Sequence, residues 1–365
     1  MWAPSFLVFV HLIYSLLLSC SARPLETDTI EKRSGVPKLA GSAVAFGAGT
    51  YPRANRLSDG SLIGAYTAFS GGNNIIKTVR STDGGATWQA LGTVTQGASN
   101  ANDIDNPYIL QLPSGKVLCA FRNHSKDPNT GAYTYFRITI CISSDQGKTW
   151  SYLSTPASDS GPVNGNWEPF LRNAQAGLQI YYSRENSAQD QDTLERFSTD
   201  GGATWSAPQT ISGAGITSRD GMTGVTTISG TKLLAVFETE TTGVFSIASI
   251  TSTDDGKTWG NRRTIYNPSS PNTSAGAPQI ATVGTSLAVS FQTNEDQVLT
   301  APASDYVGKV AAKLITSTDG GATWGNKITV GQVQSVWPSL YTLNSASFLM
   351  LFDNGGAKAQ KISLS

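Results

Sequence analysis

Six short apolar runs, each ending in an aromatic residue, recur along the chain: Leu62-Ile63-Gly64-Ala65-Tyr66, Val117-Leu118-Cys119-Ala120-Phe121, Leu178-Gln179-Ile180-Tyr181-Tyr182, Leu233-Leu234-Ala235-Val236-Phe237, Leu287-Ala288-Val289-Ser290-Phe291 and Phe348-Leu349-Met350-Leu351-Phe352. Their terminal aromatics lie 55, 61, 55, 54 and 61 residues apart. Runs this short and this rich in β-formers predict strands buried between packed sheets. Six of them at one period predict six copies of one structural unit.

A second, independent repeat has the same period. The pattern S-x-D-x-G-x-T-W occurs at Ser81 to Trp88, Ser143 to Trp150, Ser198 to Trp205, Ser252 to Trp259 and Ser317 to Trp324, with Trp-to-Trp spacings of 62, 55, 54 and 65 residues. These are Asp-boxes. An Asp followed two residues later by Gly fits a tight turn: the carboxylate accepts backbone N–H bonds and Gly supplies φ > 0. Five equivalent turns cannot share one active site, so the boxes are folding staples and the chemistry lies elsewhere.

Each unit therefore reads as strand, turn, apolar strand, loop, strand, Asp-box turn, final strand, the four-stranded blade of a β-propeller. The sixth unit has no box and ends at Ser365 after three strands, so a strand near Ala43-Val44-Ala45-Phe46 is expected to complete it. The expected fold is all-β: a six-bladed β-propeller with Asp-box turns, its ring closed by an N-terminal strand and spanning residues 34–365. With 37 Gly, 16 Pro and 14% charged residues, the composition agrees.

The first residues are read separately. Phe6 to Leu18 has the length of a secretory h-region and Cys20-Ser21-Ala22 the small residues of a cleavage site, so residues 1–22 are expected to be a signal peptide and the product secreted and extracellular. A polar segment ending in Lys32-Arg33 reads as a propeptide, residues 23–33. The remainder carries 23 basic and 23 acidic residues, which argues against nucleic acid or an anionic membrane surface as partner. Secretion permits a disulfide between Cys119 and Cys141, whereas adjacent strands rarely offer its geometry. Asn123 and Asn272 open sequons.

Beyond the signal segment the only histidine is His124, and there is neither a Cys-x-x-Cys nor a Gly-rich phosphate loop. A Ser-His-Asp triad or a multi-histidine zinc site is thereby disfavoured, and carboxylate chemistry on a sugar remains. No cofactor or metal is required. The inner strand of each blade lines the channel, and aligning the six units puts Arg53, Asp105-Asn106, Glu168, Arg219-Asp220, Ala277-Pro278 and Trp337 at the starts of those strands. Glu168, between Trp167 and Pro169, is placed for partial burial, which raises a carboxyl pKa as a general acid requires.

In register after the six aromatics come Thr67, Arg122, Ser183, Glu238, Gln292 and Asp353, and two positions further on Phe69, His124, Glu185, Glu240, Asn294 and Gly355. Glu238 and Glu240 fall on one face of a strand if the strand continues that far. Trp337 and Tyr341 are candidates to stack on sugar rings. Arg53, Asp105, Asn106, Arg122, Tyr182, Arg184 and Gln292 are candidates to hydrogen-bond hydroxyls.

The Asn166-Trp167-Glu168-Pro169-Phe170 and Phe237-Glu238-Thr239-Glu240 segments, together with the secretion signal and six blades, resemble the fungal exo-α-L-1,5-arabinanases of glycoside hydrolase family 93, within the sialidase-like superfamily of propellers with BNR repeats. The resemblance implies release of arabinobiose from the non-reducing end of linear α-1,5-L-arabinan with retention, with Glu168 as general acid/base and Glu240 as nucleophile; the protein is expected to act as a monomer. From physics alone either Glu238 or Glu240 fits the second role, and the residue not used tunes its neighbour or binds a hydroxyl. Exo action needs a wall across the groove, for which Asn100 to Asp105 is a candidate. Two other readings stay open. One is a sialidase, casting Asp105, Tyr341 and the arginines Arg53, Arg122, Arg172 and Arg184, although Tyr51-Pro52-Arg53-Ala54-Asn55 departs from the Phe/Tyr-Arg-Ile-Pro segment expected of sialidases. The other is a non-catalytic glycan-binding propeller.

Overall fold

The apolar runs become the second strands of six antiparallel sheets. The computed structural model describes residue 1 and residues 35–365 apart from 164, 242 and 304. The signal-peptide and propeptide expectations, including the Lys32-Arg33 cut, lie outside the described residues. Blades 1 to 5 are four-stranded meanders: Thr50–Arg56 to Gln89–Ala98, Asn102–Gln111 to Ser151–Ser160, Asn166–Ala174 to Gln209–Ser212, Gly221–Ser229 to Gly260–Tyr266, and Ala275–Val283 to Gly325–Gly331. Blade 6 contributes Val336–Asn344, Ser347–Asp353 and Ala357–Leu364, and its outer edge is covered by Pro37–Leu39 and Val44–Gly47. The ring is closed by N-terminal strands, as the sequence predicts, in two short pieces instead of one.

The core is divided among the blade interfaces. Six buried clusters each join two neighbouring blades; that of blades 2 and 3, for example, holds Leu118, Ile140, Leu171, Ile180 and Tyr182. Successive residues of a strand face opposite sides, so a second strand buried on both faces feeds two interfaces. Tyr181 accordingly packs toward blade 4 and Tyr182 toward blade 2. Cys119 and Cys141 stand directly opposite each other and are free buried thiols, so the bridge is not formed.

The Asp-boxes staple across blades. In the first, Ser81 Oγ donates to Asp83 Oδ1 (2.7 Å) and accepts from Gly85 N–H (2.8 Å), while Thr87 N–H and Oγ1 donate to the two Asp83 oxygens (2.9 and 2.6 Å). Hydrogen bonds from Thr87 and Ser81 hold the Asp83 carboxyl down at about 2. The second turn glycine is pressed against the preceding blade: a Cβ on Gly85 would lie 2.6 Å from Leu349 of blade 6, and one on Gly147 2.3 Å from Ile63 of blade 1.

One further regularity positions the site. Every inner strand begins with a β-bulge whose central residue has φ between 44° and 54°: Tyr51, Asn106, Glu168, Met222, Ala277 and Trp337. In five of the six the next residue is proline, whose missing N–H costs nothing where the ladder is already interrupted. Left-handed backbone at these six non-glycine residues places strain at the mouth of the channel.

Candidate active site

Immediately before each bulge residue, the inner strand pairs with the first position after the aromatic run: Thr50 with Thr67, Asp105 with Arg122, Trp167 with Ser183, Gly221 with Glu238, Gly276 with Gln292 and Val336 with Asp353. The bulge residues and these six partners form two concentric rings at one end of the channel. The opposite end carries the Asp-boxes, because turns of a meander alternate between its two ends.

Glu168 is the centre of this arrangement. Burial lifts its carboxyl, the Glu238 carboxylate lifts it further, and Arg122, the Ser183 hydroxyl and Arg219 pull against them; the result is about 8. Glu238 is also raised by burial, but the Ala277 N–H donates to its Oε2 at 2.7 Å and Arg219 counters with positive charge. The two environments differ: Glu168 is held protonated up to about 8, whereas the raised Glu238 carboxyl is backed by an N–H donor and by Arg219. Both side chains are half-buried, open to the channel mouth.

The rings are also joined by latches, which supply a control inside the molecule. Ser183 Oγ accepts from Met222 N–H at 3.1 Å, Glu238 Oε2 from Ala277 N–H at 2.7 Å, and Gln292 Oε1 from Trp337 N–H at 2.8 Å. In each case a second strand holds the strained amide of the next blade. Ser and Gln do this without charge, so the fold does not require a carboxylate at 238.

Other candidates from the sequence divide clearly. Asn106, Arg122, Gln292 and Trp337 are in the rings, and Asp105 lies beside them, accepting from Thr67 Oγ1 at 2.6 Å and pairing with Arg122 at 3.2 Å. Arg122 binds Asp103 and Asp105 at 3.0 and 3.2 Å and lies 5.2 Å over the Trp167 ring. Asn106 is buried with Oδ1 unpartnered. Arg53 is below the mouth, its guanidinium 3.8 Å from the Tyr51 ring centre and donating to the Pro52 and Trp337 carbonyls, so it forms the floor. Tyr182 is not in the site; it is core, and its hydroxyl accepts from Arg196 at 3.2 Å. Arg184 turns the other way from Ser183 and pairs with Asp159 at 3.3 Å. Tyr341 lies farther along the inner strand, opposite Leu349, where its hydroxyl accepts from Arg56 at 3.3 Å, away from both rings.

Glu240 shares a face with Glu238 but sits at the last position of its strand, its carboxylate accepting from Gly243 N–H. The resemblance points to Glu240; the carboxylate set against Glu168 is Glu238. The proposed wall is also revised. Asn102 to Asp105 belong to the inner strand of blade 2, and the longest connection at this end is 294–310 in blade 5.

That connection brings in a residue the sequence reading overlooked. Tyr306 donates its hydroxyl to the Gln292 carbonyl at 3.0 Å, and a Cβ on Gly276 would meet both Glu238 Oε2 (2.6 Å) and the Tyr306 hydroxyl (3.2 Å). The stem is tied by the buried Glu295, which pairs with Lys313 and Lys327 at 3.0 and 2.8 Å. Tyr51 and Trp167 likewise fall outside the sequence-based candidates, although proline follows the bulge residue in five of the six blades and marks Tyr51 directly. His124 is structural: it donates to the Asn166 carbonyl at 2.7 Å beneath Trp167, and burial with nearby Arg122 holds it down at about 4.

Comparison with known proteins agrees with this architecture. A family model described as BNR repeat-like domain matches residues 58–242, just over half of the chain. The chain belongs to the BNR repeat-like domain family. Among solved structures, this BNR repeat-like protein is similar to the α-L-arabinanase of Penicillium chrysogenum complexed with arabinobiose, with 17% identity, a TM-score of 0.69, and 90% of this chain and 99% of that one covered. It is similar to the family 93 α-L-arabinofuranosidase of Fusarium graminearum with arabinobiose, with 20% identity, a TM-score of 0.66 and coverage of 89% and 97%. A sialidase from Streptococcus pneumoniae matches with 13% identity, a TM-score of 0.55 and coverage of 90% and 70%. At these identities the likeness is one of fold. No curated protein matches the sequence.

Proposed function

We propose that this protein is a secreted, extracellular retaining glycoside hydrolase that releases arabinobiose from the non-reducing end of linear α-1,5-L-arabinan, acting as a monomer and without a cofactor. The observation that carries the reading is the pair of carboxyl groups at one channel mouth, Glu168 held protonated up to about 8 in part by Glu238, and Glu238 backed by the Ala277 N–H. Retaining hydrolysis needs two carboxyl groups about 5–5.5 Å apart in opposite protonation states. Glu168 gives its proton to the glycosidic oxygen as the Glu238 carboxylate attacks the anomeric carbon; Glu168, now ionised, then takes a proton from the water that displaces the sugar from Glu238. The neutral latches at Ser183 and Gln292 favour a chemical role for the charge at 238 over a structural one. The arabinobiose bound by two fold relatives supports the choice of substrate.

The sialidase alternative lacks support in the arrangement of arginines. Arg172 is committed to Asp255 and Arg184 to Asp159, Arg53 is buried in the floor, and Tyr341 is paired with Arg56. The test is the product profile of residues 34–365 on linear α-1,5-arabinan with sialyllactose in parallel. Arabinobiose as the sole early product is expected; a ladder of longer oligomers would replace exo with endo action, and free sialic acid with the arabinan left intact would overturn the substrate.

A further inference from the structure

We propose that a groove between blades 6 and 1, across the channel from the carboxylates, is a binding site for the part of a neutral linear saccharide chain that extends beyond the scissile bond. The inference rests on the glycosidase reading above and adds where the rest of the substrate runs. Its starting point is Phe69. Two residues beyond the ring position Thr67, it belongs to the six-fold set Phe69, His124, Glu185, Glu240, Asn294 and Gly355. The repeat makes the comparison internal. His124 and Asn294 are buried, Glu185 pairs with Arg219 at 3.0 Å, Glu240 accepts from Gly243, and Gly355 has no side chain. Phe69 alone is apolar and 60% exposed.

Phe69 does not stand over bare surface. It borders a groove of about 440 Å³ whose other walls are Thr50, Gln334, Asp353, Gly355 and Gly356, within the range of small-molecule sites. Glycines keep one side open: Gly355 has φ 62° and a Cβ there would meet nothing within 4 Å. The groove leads toward the catalytic centre: Thr50 on its wall precedes Tyr51, which lies close enough to Glu168 to feel its charge and whose ring is 6.1 Å from that of Trp337. Asp353 is the blade 6 counterpart of Glu238, and only its Oδ1 is engaged, accepting from Gly356 N–H at 2.9 Å.

An exposed aromatic face, a carboxylate, a carboxamide at Gln334 and a glycine-lined side match a ring with a C–H face and hydroxyl edges. The single charge is negative, which disfavours an anionic ligand. A chain with its scissile bond at Glu168 and Glu238 on blades 3 and 4 crosses the mouth and leaves between blades 6 and 1.

The test is binding, separated from turnover by the Glu168→Gln background. Linear arabino-, galacto- and gluco-oligosaccharides of two to six residues are titrated calorimetrically into that protein and into the same protein carrying Phe69→Ala or Asp353→Asn. Affinity is expected to rise with chain length, and Phe69→Ala to weaken the longest ligands by about five- to tenfold while shorter ones change less. An identical length dependence with and without Phe69 overturns the groove. A Phe69-dependent gain on a series other than arabinan supports the groove and overturns the substrate named above, so the two failures are distinguishable. No binding of any series overturns both.

Discussion

At the residue scale, the chemistry depends on how one carboxyl is kept protonated. Folding moves Glu168 from an ordinary 4.5 to about 8, so the folded state holds its proton more tightly than the unfolded chain. The sign follows: this group costs the fold nothing below about pH 4.5, and its contribution is lost as pH rises through 8. Wild-type stability relative to Glu168→Gln is therefore expected to fall by a few kcal/mol between those limits, measured by urea denaturation at pH 4.5 and pH 9. A constant difference would mean that Glu168 is charged in the fold at neutral pH. The same proton shapes the rate: kcat/KM declines on the alkaline side near pH 8, and on the acid side as Glu238 is protonated somewhat above the usual carboxylate range. The two glutamates of blade 4 are separated by amide substitution. Glu238→Gln keeps an oxygen for the Ala277 N–H, as Gln292 does for Trp337, so the fold is expected to persist while kcat drops at least about 10³-fold. Glu240→Gln is expected to lower kcat by less than about tenfold, since no step of the proposed reaction passes through it. The reverse ranking in steady-state rates would return the nucleophile to Glu240.

At the scale of elements, the apolar runs and Asp-boxes were legible because each repeat buries the same face six times, and the box sequence specifies its own turn. The bulges were only partly legible. Where Pro follows, as at Asn106, Glu168, Ala277 and Trp337, aligning the repeats finds the channel residue; in blade 4 Thr223 replaces Pro, and the alignment slips to Arg219-Asp220 instead of Met222. In blade 1 it slips from Tyr51 to Arg53 despite Pro52. Tyr182 was misplaced for a different reason: of two consecutive aromatics on a strand buried on both faces, pattern alone does not say which serves the channel, and here neither does. Tyr306 lies in a long connection without periodicity, so only the fold brings it to Glu238. The box itself yields a contrast between neighbouring glycines. Gly84, with φ 70°, faces open space, whereas Gly85, with φ 90°, lies against Leu349 of the preceding blade. Gly84→Ala is expected to cost about 1–2 kcal/mol for left-handed backbone alone, and Gly85→Ala roughly 2–4 kcal/mol once the inter-blade clash is added. Equal costs in chemical denaturation would mean that the boxes act only within their own blade.

For the whole molecule, closure decides whether six similar blades make one cooperative ring. Five blades hold their own outer strand, and blade 6 borrows it from Pro37–Leu39 and Val44–Gly47, both paired with Ala357–Leu364. Phe46 in the borrowed strand is buried and packs, with its ring tilted, 4.5 Å from the box tryptophan of blade 1, so the same segment seals the interface between the last blade and the first. Phe46→Ala is expected to cost about 3–5 kcal/mol, as for other buried phenylalanines. Removing residues 35–47 does more, because it leaves the amide and carbonyl groups of Ala357–Leu364 unpaired along an exposed sheet edge and opens the apolar cluster of blades 6 and 1. The shortened chain is expected to self-associate and to lose the single cooperative transition of the intact protein, read by light scattering and calorimetry side by side. Supplying residues 35–47 as a separate peptide should reverse the self-association, since the strand acts through pairing and not through covalent connection. A shortened chain that stays monomeric and melts in one step at the intact protein's temperature would show that blades 1 to 5 with three strands of blade 6 already close the ring.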